Sequence, residues 1–108
     1  MAEPLFLYVT APNLDEANAI GENLVREGAA ACVNIIPGMK SIYWWETRIE
    51  RADEVVLIVK TTDRSAGKCR DIIARRHSHD VPAIAAIRLD EAQSSPDFCA
   101  WLKSASGA

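Results

Sequence analysis

The segment His77-Ser78-His79-Asp80 places two imidazoles and a carboxylate within four residues, ligand types that suit Zn, Cu(II) or Ni. In an extended segment residues two apart share a face, so both rings can reach one ion. The same composition is ordinary in a short polar connector ahead of a strand, where such side chains serve the turn. Metal ligation by His77, His79 and Asp80 is therefore one expectation and turn chemistry the other. Cys32 and Lys60 form a second constellation, because a thiolate beside an ammonium is a nucleophile. Against it, cysteine is among the most buried residue types and no histidine is close in sequence. The third is Tyr43-Trp44-Trp45-Glu46. Along a strand Tyr43 and Trp45 share one face and Trp44 takes the other. These rings either stack on a ligand, with Glu46 and Lys60 completing a cleft, or are buried in a subunit contact, where each would remove about 150–250 Å² from water.

No phosphate loop, Gly-x-Ser-x-Gly or His-Glu-x-x-His occurs, and no carboxylate pair stands out as acid and base. The expectation is a protein that is not an enzyme. The net charge of −3 removes the general electrostatic argument for nucleic acid. Arg70, Arg75 and Arg76 read as a solvated helix face. With 108 residues, 49% hydrophobic and 25% charged, the chain has the composition of one globular domain spanning 1–108. No stretch approaches the roughly 20 apolar residues of a membrane span. The start, Met1-Ala2-Glu3-Pro4, lacks the basic residues of a signal peptide, so the expected location is cytoplasmic. Cys32, Cys69 and Cys99 are odd in number with no C-x-x-C among them, and free thiols are expected.

The elements that must position these groups centre on Ala30 to Thr62, rich in Val, Ile, Thr, Tyr and Trp without a helical period. It reads as a hairpin of two long strands. Ala30 to Trp45 would extend about 50 Å as a strand, whereas a domain of this length is about 35 Å across. The arm must overhang, and its aromatic end needs cover. Pro37-Gly38 predicts a bulge or bend. The reversal falls at Glu46-Thr47-Arg48 or at Arg51-Ala52-Asp53, the first being favoured because Arg48-Ile49-Glu50 still alternates. Val55 to Val59 reads as a central strand buried on both faces.

Around the arm, Leu5 to Thr10 reads as a first strand. A helix follows, capped by Asn13 with Glu16 completing a capping box, with Ala17, Ile20, Leu24 and Val25 as its apolar stripe and Gly28 as its stop. Thr62 or Asp63 caps a second helix with the stripe Ala66, Cys69, Ile72 and Ile73, ending near His77. Ala83 to Leu89 reads as a fourth strand. Ser95-Pro96 opens a short closing helix with Phe98, Trp101 and Leu102 on its apolar side. The order predicts an α+β fold, a ferredoxin-like βαββαβ sandwich with a long β-hairpin arm and a short C-terminal helix.

Thr10-Ala11-Pro12, Ala31-Cys32-Val33-Asn34-Ile35, Pro37-Gly38, Ser41-Ile42-Tyr43-Trp44-Trp45, Glu54 with Lys60-Thr61-Thr62, Val81-Pro82 and Trp101-Leu102 occur in this order. In these stretches the sequence resembles the CutA family of divalent-cation tolerance proteins. The resemblance implies a ferredoxin-like subunit in a homotrimer and a role in divalent metal tolerance or homeostasis. It also implies copper binding in those members that carry a cysteine, a histidine and a glutamate where this chain has Val9, Arg76 and Ala83. None of these three is a usable ligand, which leaves His77, His79 and Asp80 as the candidate set. No obligatory cofactor is expected, and Cu(II) or Zn(II) is the candidate ion. The partner expected is the chain itself, with no nucleic acid and no membrane. Two rival readings share the architecture. One is a small-molecule-sensing trimer similar to PII signalling proteins, with Tyr43, Trp44, Trp45, Glu46 and Lys60 lining clefts between subunits. The other is an acylphosphatase-like hydrolase, which needs an anion-cradling loop with an arginine where the chain has Thr10-Ala11-Pro12-Asn13.

Overall fold

The computed structural model describes residues 2–107. Strand β1 (Pro4–Ala11) alternates between buried and half-buried positions, as expected of a strand covered well on only one face. Pro4, Leu5, Leu7, Val9 and Ala11 are the buried set. Helix α1 (Leu14–Arg26) follows with Asn13 as its cap, whose Oδ1 accepts the Glu16 N–H at 2.8 Å. Ala17, Ile20 and Leu24 are buried, but Val25 is exposed. The stripe is therefore narrower than the periodicity predicted. Gly28 adopts φ 73° just past the helix, a left-handed stop that glycine adopts without Cβ strain.

The arm consists of β2 (Cys32–Trp45) and β3 (Arg48–Thr62), paired antiparallel down to Trp45 opposite Arg48. The favoured reversal is the one observed, a two-residue loop of Glu46 and Thr47. Glu46 takes φ 58°, in the left-handed region that costs an L-residue roughly 1–2 kcal/mol. Between Ile36 and Met39 the register shifts, with Gly38 at φ 84°. The bulge expected at Pro37-Gly38 is thus present, and it inverts which β2 side chains face which side. The molecule measures 45 × 28 × 21 Å, the long axis reflecting the overhanging arm.

Helix α2 (Asp63–Arg76) buries Ala66, Cys69, Ile72 and Ile73 as its stripe. Thr62 occupies the cap position without a side-chain cap bond. Asp63 instead locks the start of the helix to β1: its Oδ1 accepts the Glu3 N–H at 2.9 Å while its own N–H donates to Glu3 O at 2.9 Å. The Glu3 N–H holds the Asp63 carboxyl below its ordinary value. Strand β4 (Ile84–Arg88) is shorter than the predicted Ala83–Leu89. A short 3-10 turn at Glu91–Gln93 precedes helix α3 (Pro96–Ala105), capped by Ser95.

The sheet order is β2-β3-β1-β4, with β1 antiparallel to both neighbours, the ferredoxin-like arrangement. Helices α1 and α2 cover one face, and Leu7, Val9, Ile20, Leu24, Leu57, Val59, Ile72 and Ile73 fill the space between. On the other face α3 spans one end, where Phe98 meets Phe6 edge to face at 6.4 Å. The rest of that face is open. Val56 is nonetheless buried on that side and Ile58 half-buried, while Ile36 and Ile87 are exposed, so the run Val55 to Val59 is buried on its helix side and largely so on the other.

Candidate functional site

His77 is drawn into the protein by the turn that ends α2. It is the helix C-cap, and its side chain is fully buried. Nε2 lies 2.7 Å from Thr10 O, which can only accept, and Nδ1 lies 3.1 Å from the His79 N–H, which can only donate. The ring therefore carries its proton on Nε2 and accepts through Nδ1. Neither nitrogen retains a lone pair for a metal. Glu16 lies behind it, with Oε2 at 3.7 Å from His77 Nδ1. The capping box is half made: rather than reaching back to its own helix, Glu16 accepts the Ser78 N–H at 3.1 Å and its hydroxyl at 3.2 Å. His77 and Glu16 together tie the connector 77–83 to the β1–α1 turn.

His79 stacks obliquely on His77, ring centroids 4.9 Å apart, while His79 and Asp80 are exposed to solvent. The two imidazoles are brought together, but as a packed pair and not as two ligands. Among the described residues no group of three or more His, Cys, Asp or Glu side chains is arranged to hold a metal ion. Val9, in the position implied for a copper-binding cysteine, is fully buried in the core.

The aromatic set stands at the arm end. Trp44 is 70% and Trp45 63% exposed, with Tyr43, Ile42 and Ile49 exposed beside them. Beyond the bulge, Tyr43 and Trp45 lie on the open face of the sheet and Ile42 and Trp44 on the helix side, past the end of the helices. Glu46 is in the tip loop. Lys60 is at the other end of β3, opposite Cys32, where its Nζ sits 5.7 Å from the Phe6 ring and 5.5 Å from that of Phe98. With a strand length of roughly 40 Å between them, Glu46 and Lys60 do not share a cleft within one chain.

Cys32 is half-buried, with Asn34 Nδ2 at 3.9 Å from its sulfur. Cys69 donates to Ala29 O at 3.3 Å, and burial pushes its thiol above the ordinary value. That shift works against a thiolate nucleophile.

One cleft joins the connector to the arm. It encloses about 430 Å³, with Thr10 and Pro12 at its base, Tyr43 and Glu54 on the arm side, and His79 and Val81 on the connector side. Sequence reasoning had His79 and Tyr43 in different constellations and gave neither Thr10 nor Glu54 a role. The signal available was parity: Thr10 pairs with Val56, two residues from Glu54 on the same face.

A family model described as CutA1 divalent ion tolerance protein matches residues 5–105. The divalent-cation tolerance protein CutA of Archaeoglobus fulgidus is 41% identical over 97 residues, covering 90% of this chain and 92% of that protein. The chloroplastic protein CutA 1 of Oryza sativa is 32% identical over 99 residues, and this chain spans 55% of its length. Among solved structures, the divalent cation tolerance protein from Thermus thermophilus superposes with a TM-score of 0.89 at 34% identity, covering 96% of this chain and 99% of that one.

Proposed function

This chain belongs to the CutA1 divalent ion tolerance protein family, and from that premise we propose that it acts as a non-enzymatic homotrimer contributing to divalent metal ion tolerance. The observation that carries the assembly is the arm end, where Ile42, Trp44, Trp45 and Ile49 are each more than half exposed on an overhanging hairpin. An apolar edge of that kind is an aggregation hazard unless another chain covers it. Copies of this chain are the natural cover, and three is the number the family resemblance suggests. Sedimentation equilibrium at micromolar concentration should return three times the chain mass of 11.8 kDa. A monomer mass would sink the reading.

For direct metal contact we propose His79 and Asp80, the exposed members of the connector, with His77 serving to hold the backbone beneath them. Two ligands on a solvent-facing turn favour weak binding of Cu(II) or Zn(II). Binding should fail on acidification, because a protonated imidazole has no lone pair to give. Calorimetric titration of both ions into wild type and His79→Ala tests this. Equal heats in the two proteins would remove the connector from the metal chemistry and leave tolerance to operate through a partner or another ligand. The cytoplasm is the proposed compartment: Cys32, Cys69 and Cys99 are all free thiols, the state a reducing environment maintains.

A further inference from the structure

We propose that neighbouring copies in the homotrimer are joined by an ion pair between chains, the Glu54 carboxylate of one copy meeting the Lys60 ammonium of the next. The inference rests on the assembly proposed above and names the charges that complete it. Val55, Leu57 and Val59 of β3 face the helices, so by alternation Arg48, Glu50, Glu54 and Lys60 share the open side of the sheet. No open-side position of β1, β2 or β4 is charged. The strand charges of that face therefore come from β3 alone, two of each sign. Arg48 and Glu50 neutralise each other, Nε to Oε1 at 2.9 Å. Glu54 and Lys60 remain, both half-buried, and none of the ion pairs among the described residues includes either. Roughly 20 Å of strand separates them, so they cannot pair within one chain.

A charge already half withdrawn from water loses more of its hydration when a second copy covers this face, and a buried charge persists only with a partner. The face carries one such anion and one such cation, so each copy brings the counter-charge that the next one needs. A soluble ion could neutralise Glu54, but it would leave Lys60 covered and alone. Phe6 and Phe98 lie 5.7 and 5.5 Å from the Lys60 Nζ. Their π-faces favour the ammonium without supplying a negative charge. Because the two residues differ, the contact is heterologous, head to tail, and such contacts generate a ring when the rotation closes. Glu54 faces Met39 just past the bulge, where the arm begins, whereas Lys60 faces Cys32 in the body. The pair thus lays the arm of each copy against the body of the next, which is the cover an overhanging edge requires.

Charge reversal in the full chain, read by sedimentation equilibrium at micromolar concentration, is the test. Glu54→Lys sets like charges against each other at every contact and should weaken association roughly tenfold or more, moving the mass from trimer toward monomer. Lys60→Glu should do the same. The double variant Glu54→Lys, Lys60→Glu restores opposite charges with the sides exchanged and should recover the trimer. Glu22→Lys, at an exposed position of α1, makes the same change in net charge as Glu54→Lys and should sediment as wild type. Amide spectra establish that each variant is folded. Should a single reversal not fold, recovery of a folded trimer in the double variant still decides the matter. A wild-type trimer that the single reversals leave intact, a double variant that does not recover, or rescue by Lys60→Glu of Glu46→Lys in place of Glu54→Lys would overturn the pairing while the trimer stands. A wild type of monomer mass would overturn both readings.

Discussion

At the scale of single residues, His77 is the side chain on which the connector depends, because one ring satisfies Thr10 O from β1 and the His79 N–H from the turn itself. His77→Ala should lower stability to urea by about 1–3 kcal/mol, the cost of leaving buried polar groups without partners. Amide exchange should speed up at residues 78–83 while the core of β1 stays protected. A second prediction concerns Cys69. Burial raises its thiol from a reference of 9.0, so the folded state holds the proton more tightly than the unfolded chain. The resulting stabilisation is fully present below the unfolded value and is lost as pH rises toward the folded one. Wild type should therefore lose stability as pH rises above 9 more steeply than Cys69→Ala at equal chain concentration. Local sequence made the Asn13 cap legible, since its partner Glu16 is three residues on. It did not reveal that Glu16 would hold Ser78, 62 residues away, or that His77 would face Thr10 across 67. Those pairings exist only once β1 and the end of α2 are side by side. The ligand-like spacing of His77 and His79 was visible, but the direction of each ring was decided by that docking.

Among the elements, the arm was the most readable. Two long β-rich runs, a proline-glycine interruption and a polar reversal account for β2, the bulge and β3, and the antiparallel order follows from connecting them to two helices. The edges were less readable. Ala83 and Leu89 lie outside β4, which pairs with β1 only from Leu5 to Val9 although β1 runs from Pro4 to Ala11; at the Ala83 end the Thr10 carbonyl is taken by the His77 ring instead, a limit set by the docked connector. Likewise Val25 has helical spacing but no wall to face. The bulge has a testable role, since Gly38 at φ 84° has nothing within 4 Å of where a Cβ would be. Gly38→Ala therefore isolates backbone strain, costing about 1 kcal/mol by the left-handed penalty. Urea denaturation at fixed chain concentration measures it, and an unchanged midpoint would mean that the bulge relaxes freely.

For the whole molecule, the bulge also separates two tryptophans into two tests of assembly. Trp45 lies on the open face of the sheet and Trp44 on the helix side, so single substitutions interrogate different surfaces. Trp44→Ala and Trp45→Ala should each shift the sedimentation profile toward smaller species, and the double variant further, if both rings are anchors of the kind that dominate interfaces. A profile unchanged in one single variant would leave that ring free for a ligand. The open face beside α3 was the part of the fold least visible in the sequence, because a run such as Val55 to Val59 looks the same whether its second face is covered by its own helix or by another chain. The overhanging arm also carries a kinetic consequence under the assembly proposed here. A chain refolding from denaturant can complete α1, α2 and the body of the sheet by first-order steps, but its arm end gains cover only on collision with other chains. The last phase of refolding should quicken as chain concentration rises while the earlier phases do not, and at high dilution the aromatic end should remain bare for longest.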